Sequence, residues 1–574
     1  MNFKALLLGT AACAVLAGPV FAQDAGTPAD APKKHHHHEA ATTGSDRLDR
    51  LEKLVEHQAQ EIQDLKAQMG TNQGSGQVSA AQFEALQNQV YETQAVVKAA
   101  TTPHDKKLHF KGITFTFGGF LAMESVWRSN NLESDIGSPG YSSIPFPGPG
   151  GTPGNSVDIY HTREFRFTAR QSRVSGMAEG DVSPDIHLTG YGEFDFLGAA
   201  ASANSKESNS YTPRVRNLYG TVDWSDIGLK LLFGQSWSLM TLDAKGISER
   251  SELAPPTIEA QYVAGFVWTR QPQLRLVKQF GDDLWLGVSL ENPQTTISGN
   301  APSGLSITTT NGSSFSTAGS NSTADAEFNP GITLSLNQVP DVIGKVAWEP
   351  SFFGGAVHLE GVGIERQFYD RVGTTGAQNS FGNHSTSGGG GGVSGLIKVV
   401  PGLFDVQFDT LFGSGIGRYG SGQLPDTTYN ANGTLHPMNE NMEMVGVTLH
   451  ATNALDIYVF GGREHEDSAY FGTAGAGYGN PYNNVAGCSS YNVTYACKAN
   501  VQSVEQINVG LWDKLYSGDF GSFRFGVQYS YTYNKAFAGA YAASTGSTGT
   551  VAGAGGEPHT SDNMIFTSFR YYPF

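Results

Sequence analysis

A period of two dominates this chain and returns in segment after segment beyond Lys111. Ile113, Phe115 and Phe117 alternate with Thr114 and Thr116. Phe165, Phe167 and Ala169 alternate with Glu164, Arg166, Thr168 and Arg170. Ile186, Leu188, Phe194 and Phe196 share one face, while His187, Thr189, Tyr191, Glu193 and Asp195 share the other. Near the end Phe523, Phe525, Val527, Tyr529, Tyr531 and Tyr533 alternate with Arg524, Gln528, Ser530, Thr532 and Asn534. Successive side chains of an extended strand point to opposite faces, so the pattern predicts strands with one apolar and one polar face.

Such strands suit either a soluble sandwich, apolar face inward, or a membrane barrel, where the sense inverts. Two features choose the barrel. The chain ends in an aromatic residue, Phe574, after Tyr571, Tyr572 and Pro573, and long connections alternate with short ones. Ser129 to Asp158, Gln294 to Glu327, Gly373 to Gly392 and Ala536 to Asp562 are rich in Gly, Ser, Asn, Ala or Pro and are expected to be long loops. Such loops are uncommon in compact soluble domains and usual on one face of a barrel. The 72 glycines, 33 Phe and 23 Tyr fit a large sheet with tight turns and aromatic faces. No apolar run after residue 22 approaches the roughly 20 residues of a spanning helix, which excludes a helical membrane protein. At roughly 25 to 30 residues per strand with its share of loop, residues 108–574 hold about sixteen antiparallel strands. The expected fold class is an all-β transmembrane barrel with an N-terminal α-helical coiled-coil segment.

Residues 1–22 form an export signal, with Lys4 before the apolar Ala5 to Leu16 and Val20-Phe21-Ala22 as a small-x-small cleavage site. That site fits better than a lipoprotein reading of Cys13. Residues 23–44 are a disordered linker of Ala, Pro, Thr and Asp. His35 to His38 interrupt it, and such a run could bind a divalent metal weakly, be a purification tag, or be incidental. Residues 45–99 change period: Leu48, Leu51, Val55, Gln58, Ile62, Leu65 and Met69 alternate spacings of three and four, a heptad seam flanked by charge. The polar Gln58 is placed to fix register and strand number. After the break at Gly70 to Gly76, Phe83, Leu86, Val90, Thr93 and Val97 resume the seam. A narrow seam on short helices favours self-association over a lone helix packed on the barrel.

If Cys13 leaves with the signal, Cys488 and Cys497 remain, and an even pair in an exported chain predicts a disulfide. Closing a loop of about ten residues contributes roughly 2 to 3 kcal/mol. No His partners stand near for zinc, and no metal or cofactor is expected. The net charge of −17 argues against nucleic acid as a partner, since phosphate binding needs clustered Lys and Arg. Acidic outer loops account for it.

Several strings resemble one family. Ala169 to Arg173 reads ARQSR, Gly190 to Phe196 GYGEFDF, Arg214 to Gly220 RVRNLYG, Gly234 to Ser238 GQSWS, Arg270 to Leu274 RQPQL and Gly413 to Tyr419 GSGIGRY. In this order and spacing they resemble the DcaP-like outer-membrane porins, closely over about Gly112 to Tyr419 and more loosely beyond. The resemblance implies a sixteen-stranded barrel in the outer membrane of a Gram-negative bacterium. It also implies a homotrimer in contact with outer-membrane lipid, an N-terminal coiled coil in the periplasm, and conduction of small anionic solutes such as dicarboxylates. The glycine-rich insertions and the loop between Cys488 and Cys497 depart from the family pattern.

Strand parity independently places arginines in the lumen: Arg166 and Arg170 opposite Phe165 and Phe167, Arg214 and Arg216 around Val215, Arg275 between Leu274 and Leu276, and Arg524 between Phe523 and Phe525. Guanidinium groups stay charged and bind carboxylates bidentately, so a ladder of them favours anions. The competing reading is that they only pair with Glu164, Glu193, Asp195 and other wall carboxylates. Arg173 and Arg270 do not follow parity cleanly and could serve folding, and glycines on both sides of Arg418 hide its direction. His187, Glu193 and Asp195 make no catalytic set without an ordered nucleophile, so no enzyme is expected. The alternative function is structural, with the stalk tethering the membrane to the cell wall; its acidic, ordinary composition does not favour that.

Overall fold

The computed structural model describes residues 107–573 except 133–135, 137–140, 148–161, 199–211, 311–333, 378–379, 473–475, 489–496, 542–548 and 550. The export signal, the linker with its His run and the heptad region lie outside the described residues.

One sheet closes on itself. Its strands are β1 (Ile113–Arg128), β2 (Glu164–Thr168 resuming as Arg173–Ser183), β3 (Ile186–Asp195), β4 (Arg214–Trp224), β5 (Leu229–Trp237), β6 (Arg270–Phe280), β7 (Leu284–Glu291) and β8 (Asp341–Trp348). They continue as β9 (Val357–Thr374), β10 (Gly382–Val400), β11 (Phe404–Ser414), β12 (Asn439–His450), β13 (Leu455–Glu466), β14 (Val501–Gly518), β15 (Gly521–Ala536) and β16 (His559–Tyr572). Every neighbouring pair is antiparallel, and β1 is bonded to β16 on one side and β2 on the other, so no edge is left open. Two short strands, Leu108–Phe110 and Leu305–Thr308, pair at the margins.

Burial follows the inverted sense. The apolar partners of each alternation face outward: Phe165 is 55% exposed, Phe167 65% and Leu218 55%. The opposite face of β15 turns Gln528, Ser530, Thr532 and Asn534 into a buried interior. In water such a surface would be an aggregation hazard; against lipid it is the stable arrangement. Exposed aromatics gather at the short-turn end, with Phe280 before one turn, Phe352 and Phe353 in the next and Phe520 in another. That is the place of an interfacial girdle. Gly521, which opens β15 after the last of these turns, has φ +95°, and a side chain there would run into the Tyr572 carbonyl.

Two expectations are revised. Gly373 to Gly392 is not a long loop: β9 runs to Thr374 and β10 begins at Gly382, leaving a connection of 375–381. The polyglycine run forms strand ladder with β9, and Gly389 to Gly391 pair also with β11. The poor strand propensity of glycine is overridden because a side chain at Gly390 or Gly392 would strike the Phe412 or Thr410 carbonyl. Nor is the interior uniformly polar. Tyr458, Phe460, Trp512, Met564 and Phe566 point inward and are buried. What covers them is the β5–β6 connection.

Candidate permeation site

The connection 238–269 joins β5 to β6 and folds into the barrel. Its composition explains why: Leu239, Met240, Ile247, Ile258, Val263, Phe266 and Val267 are all buried against inward wall residues. A non-helical segment also carries amides that need acceptors, and the wall supplies them around much of its circumference. Leu239 N donates to Glu291 on β7 at 2.8 Å, Asp243 N to Glu360 on β9 at 3.0 Å, and Val267 N to Asp409 on β11 at 2.9 Å. Gly265 N donates to Glu464 on β13 at 2.7 Å, Ala264 N to Gln506 on β14 at 3.1 Å, and Ile258 N to Gln528 on β15 at 2.6 Å. Lys345 on β8 returns a bond to the Thr241 carbonyl at 2.6 Å. Gly265, at φ +83°, lies so close to β12 that a side chain would strike the Glu443 carbonyl. The loop is thus fixed wall to wall and narrows the lumen.

Between the loop and the wall formed by β2–β5 and β14–β16 lies a cavity of about 410 Å³. Arg173, Arg216, Arg250, Arg524 and Arg570 line it, facing Glu193, Glu252, Glu259 and Asp456. Two of these cations are already engaged. Arg216 donates to Glu193 at 2.5 Å and Asp195 at 3.0 Å, and Arg570 donates to Glu124 at 2.7 Å while stacking on Phe120 and Trp512. Arg173, Arg250 and Arg524 have no carboxylate within ion-pair distance among the described residues; each instead lies over a ring, Phe120, Tyr191 and Tyr572 respectively. The Nε atoms of Arg173 and Arg524 are buried without a hydrogen-bond partner among the described residues. Arg250 holds φ +65°, a conformation that costs a non-glycine residue about 1 to 3 kcal/mol, where its side chain joins the cavity. On the loop, burial pushes the Glu259 carboxyl up to about 8, so it is mostly neutral at pH 7.

The arginines chosen from parity are distributed differently. Arg166 faces inward but is bonded to Glu164 at 3.0 Å. Arg170 donates to the carbonyls of Phe196 and Gly198. Arg214 grips Asp195 through two bonds of 3.0 and 2.7 Å. Arg275 is buried, held by Gln273 and the Trp237 carbonyl. Of the six, Arg216 and Arg524 reach the cavity. Glu164, Glu193 and Asp195 thus neutralise much of the ladder.

Sequence reading left out Arg173 and Arg250. For Arg173 the cause is a bulge: Glu124 pairs with Thr168 and Phe120 with Arg173, so β2 spends one residue more than β1 over the same stretch. One extra residue flips parity. The interruption is pinned by Ser172, whose hydroxyl accepts from Ala122 N at 2.9 Å, and by Gln171, which reaches the Ile258 carbonyl of the inward loop at 2.8 Å. For Arg250 the signal was the loop itself, an apolar-rich connection without period two among polar ones. Cys488 and Cys497 are bonded, with Cα atoms 4.6 Å apart, in the connection between β13 and β14.

No protein-family model matches the chain, and no curated protein matches it by sequence. Solved structures do. The outer membrane channel DcaP of Acinetobacter baumannii superposes over 81% of this chain and 99% of its own, with a TM-score of 0.52 and 17% identity. An anion-selective porin from Comamonas acidovorans covers 80% and 99% at a TM-score of 0.40 and 8% identity. Salmonella typhi OmpF covers 81% and 99% at 0.41 and 10%. Sixteen antiparallel strands, a closed seam and an apolar outer wall give this chain the fold of a DcaP-like outer-membrane porin.

Proposed function

We propose that the protein is a homotrimeric porin of the bacterial outer membrane, a passive channel for small anionic solutes of the carboxylate class. The observation that carries this reading is the set of three cavity arginines, Arg173, Arg250 and Arg524, that make no ion pair among the described residues. A guanidinium whose N–H groups are not taken up by a neighbour offers them to a passing carboxylate, and ring stacking leaves its edge free to bind. Near neutrality Glu259, raised to about 8, and Glu252, raised to about 7, oppose that charge only in part. The passage is therefore locally positive although the chain as a whole carries −17, and the local field sets which ion enters a narrow, water-filled constriction. Transport needs only weak binding, because a solute held tightly would not leave.

Purified protein in planar bilayers tests this directly. Millimolar dicarboxylate should interrupt the chloride current as it occupies the cavity, and the interruption should weaken in Arg173→Gln and Arg524→Gln. A conducting channel indifferent to dicarboxylate would refute the solute class and leave the fold standing.

A further inference from the structure

At the long-loop end of the barrel, Glu440 is the second residue of β12 and Glu466 closes β13, and the two are direct cross-strand partners. Both side chains are buried, Glu440 4% and Glu466 0% exposed. None of their four carboxylate oxygens has a hydrogen-bond partner among the described residues. The arginine and phenolic donors nearby are spent elsewhere. Arg366 serves Asp426, Asp341 and the Gln294 and Gly415 carbonyls; Arg418 serves Gln271 and Asp341; the Tyr478 hydroxyl donates to the Val501 carbonyl. Asp426, on the covering loop, adds negative charge rather than removing it.

Two ionised carboxylates cannot be buried side by side without compensation, since each loses its hydration and repels the other. We propose that Glu440 and Glu466 form a binding site for a hard divalent cation, of which calcium is the type, and that it latches the 415–438 loop onto the barrel mouth. The surroundings suit oxygen coordination. Thr427 and Thr428, following Asp426 on the same loop, carry fully buried hydroxyl oxygens without partners among the described residues, and strand alternation lets one of the two face the pair. Gly417 keeps the space open, because a Cβ there would stand 2.9 Å from Glu440 Oε2. The described residues contain no cluster of three or more His, Cys, Asp or Glu side chains able to hold a metal. The ligand set is thus two carboxylates completed by hydroxyl, carbonyl or water oxygens, which a calcium ion with its roughly six to eight oxygen ligands accepts and zinc would not. The inference is independent of what passes through the pore.

The test uses the full-length protein in detergent, stripped with a chelator. Terbium, a luminescent stand-in for calcium, should bind saturably, be excited through Tyr478, which lies within the field of both carboxylates, and be displaced by calcium. Calcium should also raise the melting temperature. The E440Q/E466Q variant should lose the calcium-dependent shift, and Y478F should lose most of the sensitised luminescence while keeping the shift. Should the double variant not fold, E466Q alone must still weaken calcium competition at least tenfold. If wild type and variants respond to calcium alike, the site is elsewhere and the proposal fails. If calcium has no effect while the melting temperature moves with pH, the pair shares a proton instead, and the proposal fails as well.

Discussion

Phe266→Ala probes whether the inward loop governs conduction. Phe266 is fully buried in a cluster that joins Ile258, Tyr262 and Val263 of the loop to Tyr458, Phe460, Trp512 and Phe566 of the wall. Its ring meets Tyr262 edge-on at 5.3 Å. Truncating such a ring costs about 3 to 5 kcal/mol, the lost transfer energy plus the cavity left behind. At about 1.4 kcal/mol per tenfold, the docked state loses roughly two to three and a half powers of ten against the undocked one. The cost falls on docking, because the strand ladders do not involve Phe266. The flanking amides of Gly265 and Val267 would still find Glu464 and Asp409. Single-channel recordings should show larger conductance or flicker between two levels, with heat-modifiable mobility intact. Phe233→Ala, on a ring 52% exposed on the outer face, should leave conductance unchanged. Wild-type conductance, noise and melting in Phe266→Ala would refute the docked loop as the constriction.

Three further outcomes follow from named groups. Because burial raises Glu259 to about 8 and Glu252 to about 7, both cavity carboxyls gain charge between pH 6 and pH 10; anion preference should fall across that rise, and Glu259→Gln with Glu252→Gln should flatten the step in reversal potential. Replacing Leu51, Val55, Ile62 and Leu65 by Asp should weaken the oligomer on native gels; a monomeric, unhelical fragment at high concentration would sink the coiled-coil stalk. Digestion without reduction should release Cys488 and Cys497 as one linked peptide, and two thiols alkylated without prior reductant would contradict the bond.

The wall was legible in the sequence because a strand's period is two and lipid demands one continuous apolar face. Phe165 and Phe167 announced β2 without any tertiary information. Chain length and loop spacing were enough for sixteen strands. The site was less legible, since parity counts only along an unbroken strand and the extra residue before Arg173 reverses it. Nor does alternation distinguish an inward arginine that is free from one already paired; Arg166 and Arg214 look like Arg524 until Glu164 and Asp195 are placed beside them. The polyglycine of β10 misled for a different reason, because its neighbours leave no space for side chains. The inward loop carries no period at all, and its docking is a sum of contacts to strands far away in sequence.

Reversal potential in a salt gradient, at low ionic strength so that screening does not mask the lumen charge, tests the central claim most directly. The wild-type channel should favour the anion. Replacing Arg173, Arg250 and Arg524 by Gln should carry the potential toward cation preference, while Arg166→Gln with Arg170→Gln, at groups already bonded to Glu164 and to backbone carbonyls, should move it less. A clearly cation-selective wild type, or a potential unmoved by the loss of all three cavity arginines, would contradict the account.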